Sequence, residues 1–173
     1  FDLPSSRIST LATGIDLERF TCEGELSDCI KGIPKPVVGM VSVLRSWKGH
    51  ADFLRAAALL RAQGFDGAFV IVGGGQSSAW IQAQVESLGL SNAVRFTGHR
   101  EDVPEVLRAL DVLVIPSTRH EGIPQIGLQA LACKTPVVGS NVGGIPEVIR
   151  HGETGRIFQA QNPDQLASMI RQT

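Results

Sequence analysis

The feature that most constrains this chain is an alternation. Five short runs rich in Val and Ile, "PVVGMVSVL", "GAFVIVGG", "AVRFTG", "DVLVIPS" and "TPVVGS", recur between residues 36 and 140, with helix-like segments between them. Each run is short and too uniformly apolar for a half-exposed strand, which is the pattern of a parallel strand buried on both faces. In the segment "KGHADFLRAAALLRAQG", Phe53, Ala57 and Leu60 share one helical face, while Arg55 and Arg61 lie off it. In "SSAWIQAQVESLGL", Trp80 joins Ile81, Val85 and Leu88 on the apolar side, and Gly89 supplies a stop. "REDVPEVLRAL", "IPQIGLQALACK" and "GGIPEVIRHG" read as further helices. Strand and helix in alternation call for right-handed crossovers, so the pattern predicts an α/β fold. Its core is a doubly wound parallel sheet, Rossmann-like, with helices on both faces. Ligands in such sheets bind beyond the carboxyl ends of the strands, which directs attention to the loop after each apolar run.

The chain has 173 residues and is 43% apolar, enough for one sizeable core, and it reads as a single domain over 1–173. Its net charge is −1 with Lys and Arg scattered, so no footprint for nucleic acid or an anionic membrane is present. Cys22, Cys29 and Cys133 are odd in number and form no CxxC pair, which argues against a disulfide framework or a cysteine zinc site and for reduced thiols. No stretch approaches the ~20 apolar residues of a membrane span and no signal-peptide pattern opens the chain, so the expected compartment is cytoplasmic. The opening "FDLPSSRIST" holds no start methionine and reads as the beginning of a processed or excised piece. Residues 22–36, "CEGELSDCIKGIPKP", are polar with two prolines and read as a mobile surface loop.

Four strand-exit loops hold candidate chemistry. In "RSWKGH", Arg45 and Lys48 can pair with a phosphate as fork and point charge, or can be two solvated surface cations. In "GGGQSS", Gly73 and Gly74 permit a ligand to press against the main chain; a tight turn with no ligand explains them equally, and neither a GxGxxG fingerprint nor a P-loop is present. In "TGHRED", His99 and Arg100 can face a base or phosphate, or be merely exposed, and Asp102 is placed to cap a short helix containing Pro104. In "STRHEGIPQIGLQALACK", Pro124 fits the first turn of a helix, leaving amides near Gln125 and Ile126 free to bind an anion. Glu121, just ahead, either accepts hydrogen bonds from sugar hydroxyls or serves only the helix dipole.

Taken in order, "RSWKG", "VGGG", "FTGHREDV" and "STRHEGIPQIGLQALACKTPVVGSNVGGIPEVI" resemble the donor-binding half of the GT-B glycosyltransferases of the glycosyl transferases group 1 family, the glycogen-synthase-like, retaining family 4 type. The early "TGIDLERF" is similar to that family's N-G-[VI]-D-x-x-x-F segment, and the resemblance covers nearly the whole chain. It implies a two-domain enzyme of which this chain is the second domain, with an acceptor-binding N-terminal domain outside it. It implies transfer of a sugar from a UDP-, GDP- or ADP-sugar with retention, without a metal and without a resident cofactor. Lys48 then contacts the donor diphosphate, and Arg45 substitutes for the family Arg that aligns with Val43. The family's E-x7-E pair matches Glu121, near the transferred sugar, and meets Gln129 where the ribose-binding Glu belongs. Gly122, Ile123, Pro124, Gln125 and Ile126 take the place of G-F-G-L-P beside the phosphates. Gly143 and Gly144 of "NVGGIPEVI" allow close packing or a turn, and Glu147 faces the cleft or caps a helix.

The acceptor implied is a saccharide or lipid-linked saccharide of cell-surface polysaccharide or lipopolysaccharide assembly. The setting implied is the inner face of the membrane, by peripheral association of the full-length protein. Two other readings compete: a nucleotide-sugar 2-epimerase on the same architecture, and a non-catalytic nucleotide-sugar-binding module, to which Gln129 points.

Overall fold

The computed structural model describes residues 4–9 and 11–173, the side chain of Ser5 excepted; the opening "FDL", on which the reading of an excised piece rests in part, lies outside the described residues. Six parallel strands form one sheet: β1 Val37–Val41, β2 Ala68–Val72, β3 Val94–Gly98, β4 Val112–Ile115, β5 Val137–Ser140 and β6 Gly155–Phe158. The helices between and after them are α1 His50–Ala62, α2 Ser78–Ser87, α3 Val103–Ala109, α4 Gln125–Ala132, α5 Ile145–Val148 and α6 Pro163–Arg171.

The strand order β3-β2-β1-β4-β5-β6 makes the β1/β4 junction the point where the winding reverses. Burial follows from that order. Central β2 is buried at every position, whereas β3 and β6, at the two edges, keep intermediate or exposed residues. Two apolar layers flank the sheet. One gathers Phe53, Leu54, Leu60 and Ile81 of α1 and α2 with Leu166 and Ile170 of α6; the other gathers Val106, Leu107, Ala130 and Ile145 of α3, α4 and α5. An isolated helix of the 13 residues of α1 is marginal in water, so packing holds it. Its Phe53, Leu54 and Leu60 are fully buried, each contributing about 1.5–3 kcal/mol.

Three expectations need correction. Trp80 stands off the apolar side of α2, 50% exposed, while Ile81 and Val85 are buried as read and Gly89 ends the turn at φ 67°. Residues 22–36 are tied down: Ser27 and Ile30 are buried, Ser27 N donates to Glu105 O at 3.1 Å, and Arg108 donates to the carbonyls of Thr21 and Glu25. A sixth strand and a sixth helix, β6 and α6, extend the alternation beyond the five strands read from the sequence. The three cysteines are free thiols, with Cys133 buried and its ionisation pushed up by that burial.

Candidate functional site

The registered pairing of β1 with β4 covers Val38↔Val112 and Gly39↔Leu113. Beyond it the carboxyl halves of the two strands line a cavity of about 220 Å³. Lys48 enters this cavity from the β1 exit, Ser117 and Glu121 from the β4 exit, and Pro124, Gln125 and Ile126 from the start of α4. A second hollow of about 200 Å³ shares Val41, Ser42 and Val43 with it and continues toward Gly73, Gly74, His99 and Arg100. The two form one groove across the winding reversal, where this class of sheet binds ligands. A hollow of about 480 Å³ beside Asp52 and Arg119 is larger, and one of about 320 Å³ lies at the opposite end of the sheet. Size therefore does not choose the site; its place at the winding reversal, where Lys48 and Glu121 pair, does.

The groove centres on an ion pair. Lys48 Nζ lies 2.8 Å from Glu121 Oε2 and 3.0 Å from Oε1, and the side chains are 24% and 10% exposed. Sequence places these residues 73 positions apart; adjacency of β1 and β4 brings them together. The loop after β1 is stapled to the loop after β4, with Thr118 N donating to Trp47 O at 2.8 Å. Ser117 Oγ also donates to Glu121 Oε2. The backbone of Glu121 is fixed by the turn after β5: Gly144 N donates to Glu121 O at 3.1 Å, and a Cβ on Gly143, at φ 54°, would meet that same oxygen at 1.8 Å. The "NVGG" turn therefore serves close packing, and Glu147 stands exposed in the first turn of α5.

The glycine loop divides its roles. A Cβ on Gly73 would come within 1.9 Å of Ser42 O, so this glycine, at φ 134°, lets two loops touch. Gly74 has nothing within 4 Å of a built Cβ and opens onto the groove. Arg100 reaches the groove with its guanidinium held bidentate by Asp102, Nε to Oδ1 at 2.7 Å and Nη2 to Oδ2 at 2.8 Å. Asp102 occupies the N-cap position of α3 without capping it; its carboxylate is taken by Arg100 and by Ser27 Oγ at 2.6 Å. Arg100 is the main cause that holds the Asp102 carboxyl down at about 2. Pro124 is the residue before α4 rather than inside its first turn, and the first amides used in the helix are those of Gly127 and Leu128, both to Pro124 O. The amides of Gln125 and Ile126 thus precede the internal ladder and head the helix.

Some site candidates fall outside the groove. Arg45 is exposed, its guanidinium 5.1 Å over the Trp47 ring, whereas Val43, where the family Arg would stand, is 53% exposed but lines both hollows. Gly122 is exposed and Ile123 packs toward α5. Gln129 is half-buried one turn beyond Gln125 on α4 and lines neither hollow. Gln125 hydrogen-bonds Thr13 of the "TGIDLERF" segment, bringing that segment to the groove. Sequence reasoning missed Ser117 and His50. His50 is buried and held neutral, its ionisation pulled down to about 4 chiefly by burial, with Nε2 3.5 Å from Ser42 Oγ. Among the described residues, no cluster of three or more His, Cys, Asp or Glu side chains could share a metal ion.

The model of the family described as glycosyl transferases group 1 matches residues 30–173. The chain belongs to the glycosyl transferases group 1 family. Among its relatives is the D-inositol 3-phosphate glycosyltransferase of Corynebacterium jeikeium, 33% identical over 98% of this chain and 44% of that protein. The chain spans about half the length of the curated relatives it matches. Anabaena Alr3699/HepE, solved in complex with UDP and glucose, superposes with a TM-score of 0.81 at 28% identity, over 92% of this chain and 45% of that one. The C-terminal domain of the group 1 family protein LpcC from Francisella tularensis gives a TM-score of 0.80 at 26% identity, over 92% of this chain and 87% of that one. The group 1 sheet seen here is the Rossmann-like half of a GT-B glycosyltransferase.

Proposed function

We propose that this chain is the donor-binding domain of a retaining glycosyltransferase that transfers a sugar from a nucleoside-diphosphate sugar. The observation that carries this reading is the Lys48–Glu121 pair at the β1/β4 reversal, beside the head of α4. In a sugar-diphosphate donor, negative charge grows on the diphosphate as the glycosidic bond breaks. Lys48 and the leading amides of α4 are pre-set to stabilise that charge, so the reading needs neither a metal nor a nucleophilic side chain. Glu121 accepts hydrogen bonds from hydroxyls of the transferred sugar, since an ionised carboxylate is acceptor-only. Gln129 offers a carbonyl to the ribose, a weaker acceptor than a carboxylate. The UDP bound by the Anabaena protein supports UDP-sugars among these donors.

The acceptor, a saccharide or lipid-linked saccharide, is met by an N-terminal domain outside this chain. The whole protein works in cell-surface polysaccharide or lipopolysaccharide assembly, in the cytoplasm at the inner face of the membrane. It is held there peripherally; among the described residues no helix is long and apolar enough to cross a membrane. Alone, the 173 residues bind donor and turn over none. The test is to titrate the chain with UDP-, GDP- and ADP-sugars and then assay transfer by the two-domain protein. Binding and transfer are expected. Binding without transfer by the intact protein would favour a non-catalytic nucleotide-sugar-binding module, the reading that Gln129 supports.

A further inference from the structure

Among the described residues, Ser117 just beyond β4 and Ser140 at the end of β5 are fully buried. A buried hydroxyl must find a partner, and Ser117 finds one in a carboxylate while Ser140 finds one in the carbonyl of Ser117. Ser117 Oγ donates to Glu121 Oε2, and Ser140 Oγ donates to Ser117 O at 2.6 Å, fixing the backbone from which Ser117 acts. The turn at Gly143 and Gly144 holds the Glu121 main chain, so that carboxylate is constrained at its backbone and at one oxygen by parts that cannot swing away. Its other partner is different. Lys48 is a point charge on a flexible four-carbon stem, and its side chain is 24% exposed. An entering diphosphate, with more negative charge than one carboxylate, draws Lys48 toward itself. Ser117, buried and neutral, has no such alternative.

We infer that Ser117 is a positioning residue, which keeps the Glu121 carboxylate aimed at the donor sugar once the diphosphate has claimed Lys48. The inference rests on the donor reading above and adds a division of labour. Lys48 serves the diphosphate, and the Ser140–Ser117–Glu121 chain serves the sugar. A serine that merely satisfied a buried hydroxyl would not separate the two halves of the ligand; a positioning residue must.

The test is calorimetry on this chain and on Ser117→Ala, Ser117→Cys and Ser117→Thr, with UDP against UDP-glucose, GDP against GDP-mannose, and ADP against ADP-glucose. For the pair that binds the parent chain, Ser117→Ala is expected to hold sugar-free nucleotide within about twofold and to bind the sugar conjugate roughly tenfold more weakly, the loss of one hydrogen bond to a charged group. Ser117→Cys, nearly the same size with a weak donor, gives the same selective loss if Ser117→Ala fails to fold, and Ser117→Thr restores the hydroxyl and the affinity. Equal weakening of nucleotide and conjugate, or no weakening of either, overturns the inference and leaves the donor reading standing. Failure of the parent chain to bind any of the six ligands overturns both.

Discussion

Lys48 Nζ sits 2.8 Å from Oε2 and 3.0 Å from Oε1 of Glu121, so the cation assigned to the diphosphate is paired with the carboxylate assigned to the sugar. The two assignments compete until a donor arrives. Glu121→Gln removes the competing charge while keeping shape. It is expected to bind sugar-free UDP several-fold more tightly and to lose affinity for UDP-glucose relative to UDP, by the usual worth of a charge-assisted bond. Calorimetry with the two ligands checks both directions, and a parallel fall in both affinities would contradict the competition.

Gly143→Ala tests how Glu121 is held. The left-handed backbone at φ 54° costs a β-carbon about 1–2 kcal/mol, and that carbon would also stand 1.8 Å from Glu121 O. The expected result is a lower Tm and weakened binding of the sugar conjugate; an unchanged Tm would show that the turn yields freely.

His50 gives the fold an acid-side dependence. Its folded ionisation lies at about 4, below the unfolded value of 6.5, because burial disfavours the imidazolium. The unfolded chain therefore takes up the proton first as pH falls. Stability is full above about 6.5 and is lost progressively down to about 4. Asp52, whose carboxyl is pushed above its usual range by burial, acts in the opposite sense, so the parent must be compared with His50→Gln. Melting curves across this range should fall more steeply for the parent than for His50→Gln; identical slopes would place His50 outside the effect.

Gln129→Glu restores the carboxylate that the family pattern has at this position. If α4 presents position 129 to the ribose, nucleotide affinity should rise roughly threefold to tenfold. The same titrations read it out, and no gain would mean that position 129 does not reach the ribose here.

Most of the sheet could be read from sequence because burial on both faces leaves a run such as "AFVIV" no other use. The edge strand β6, "GRIF", escaped because three of its four residues are only partly covered and one is Arg156. Helix α6 escaped with it, although Asn162 followed by Pro163 is a start signal; the Asn162 side chain accepts from Gln165 N at 3.0 Å. Trp80 was misplaced because periodicity puts an aromatic on a face without saying whether anything covers that face. At the site, Lys48 and Glu121 were legible as separate loop residues, but not as a pair, since their contact depends on which strands are neighbours. Ser117 carried a weaker signal still, a serine four residues before Glu121 at a strand exit. The burial that gives it a role exists only in the folded chain.

The most direct test of the central claim is a titration of this chain and its Lys48→Ala variant with UDP and UDP-glucose by calorimetry. The account predicts saturable binding to the parent and at least roughly tenfold weaker binding of both ligands to the variant, through loss of the charge-assisted contact to the diphosphate. Equal affinities for the parent and Lys48→Ala would contradict it.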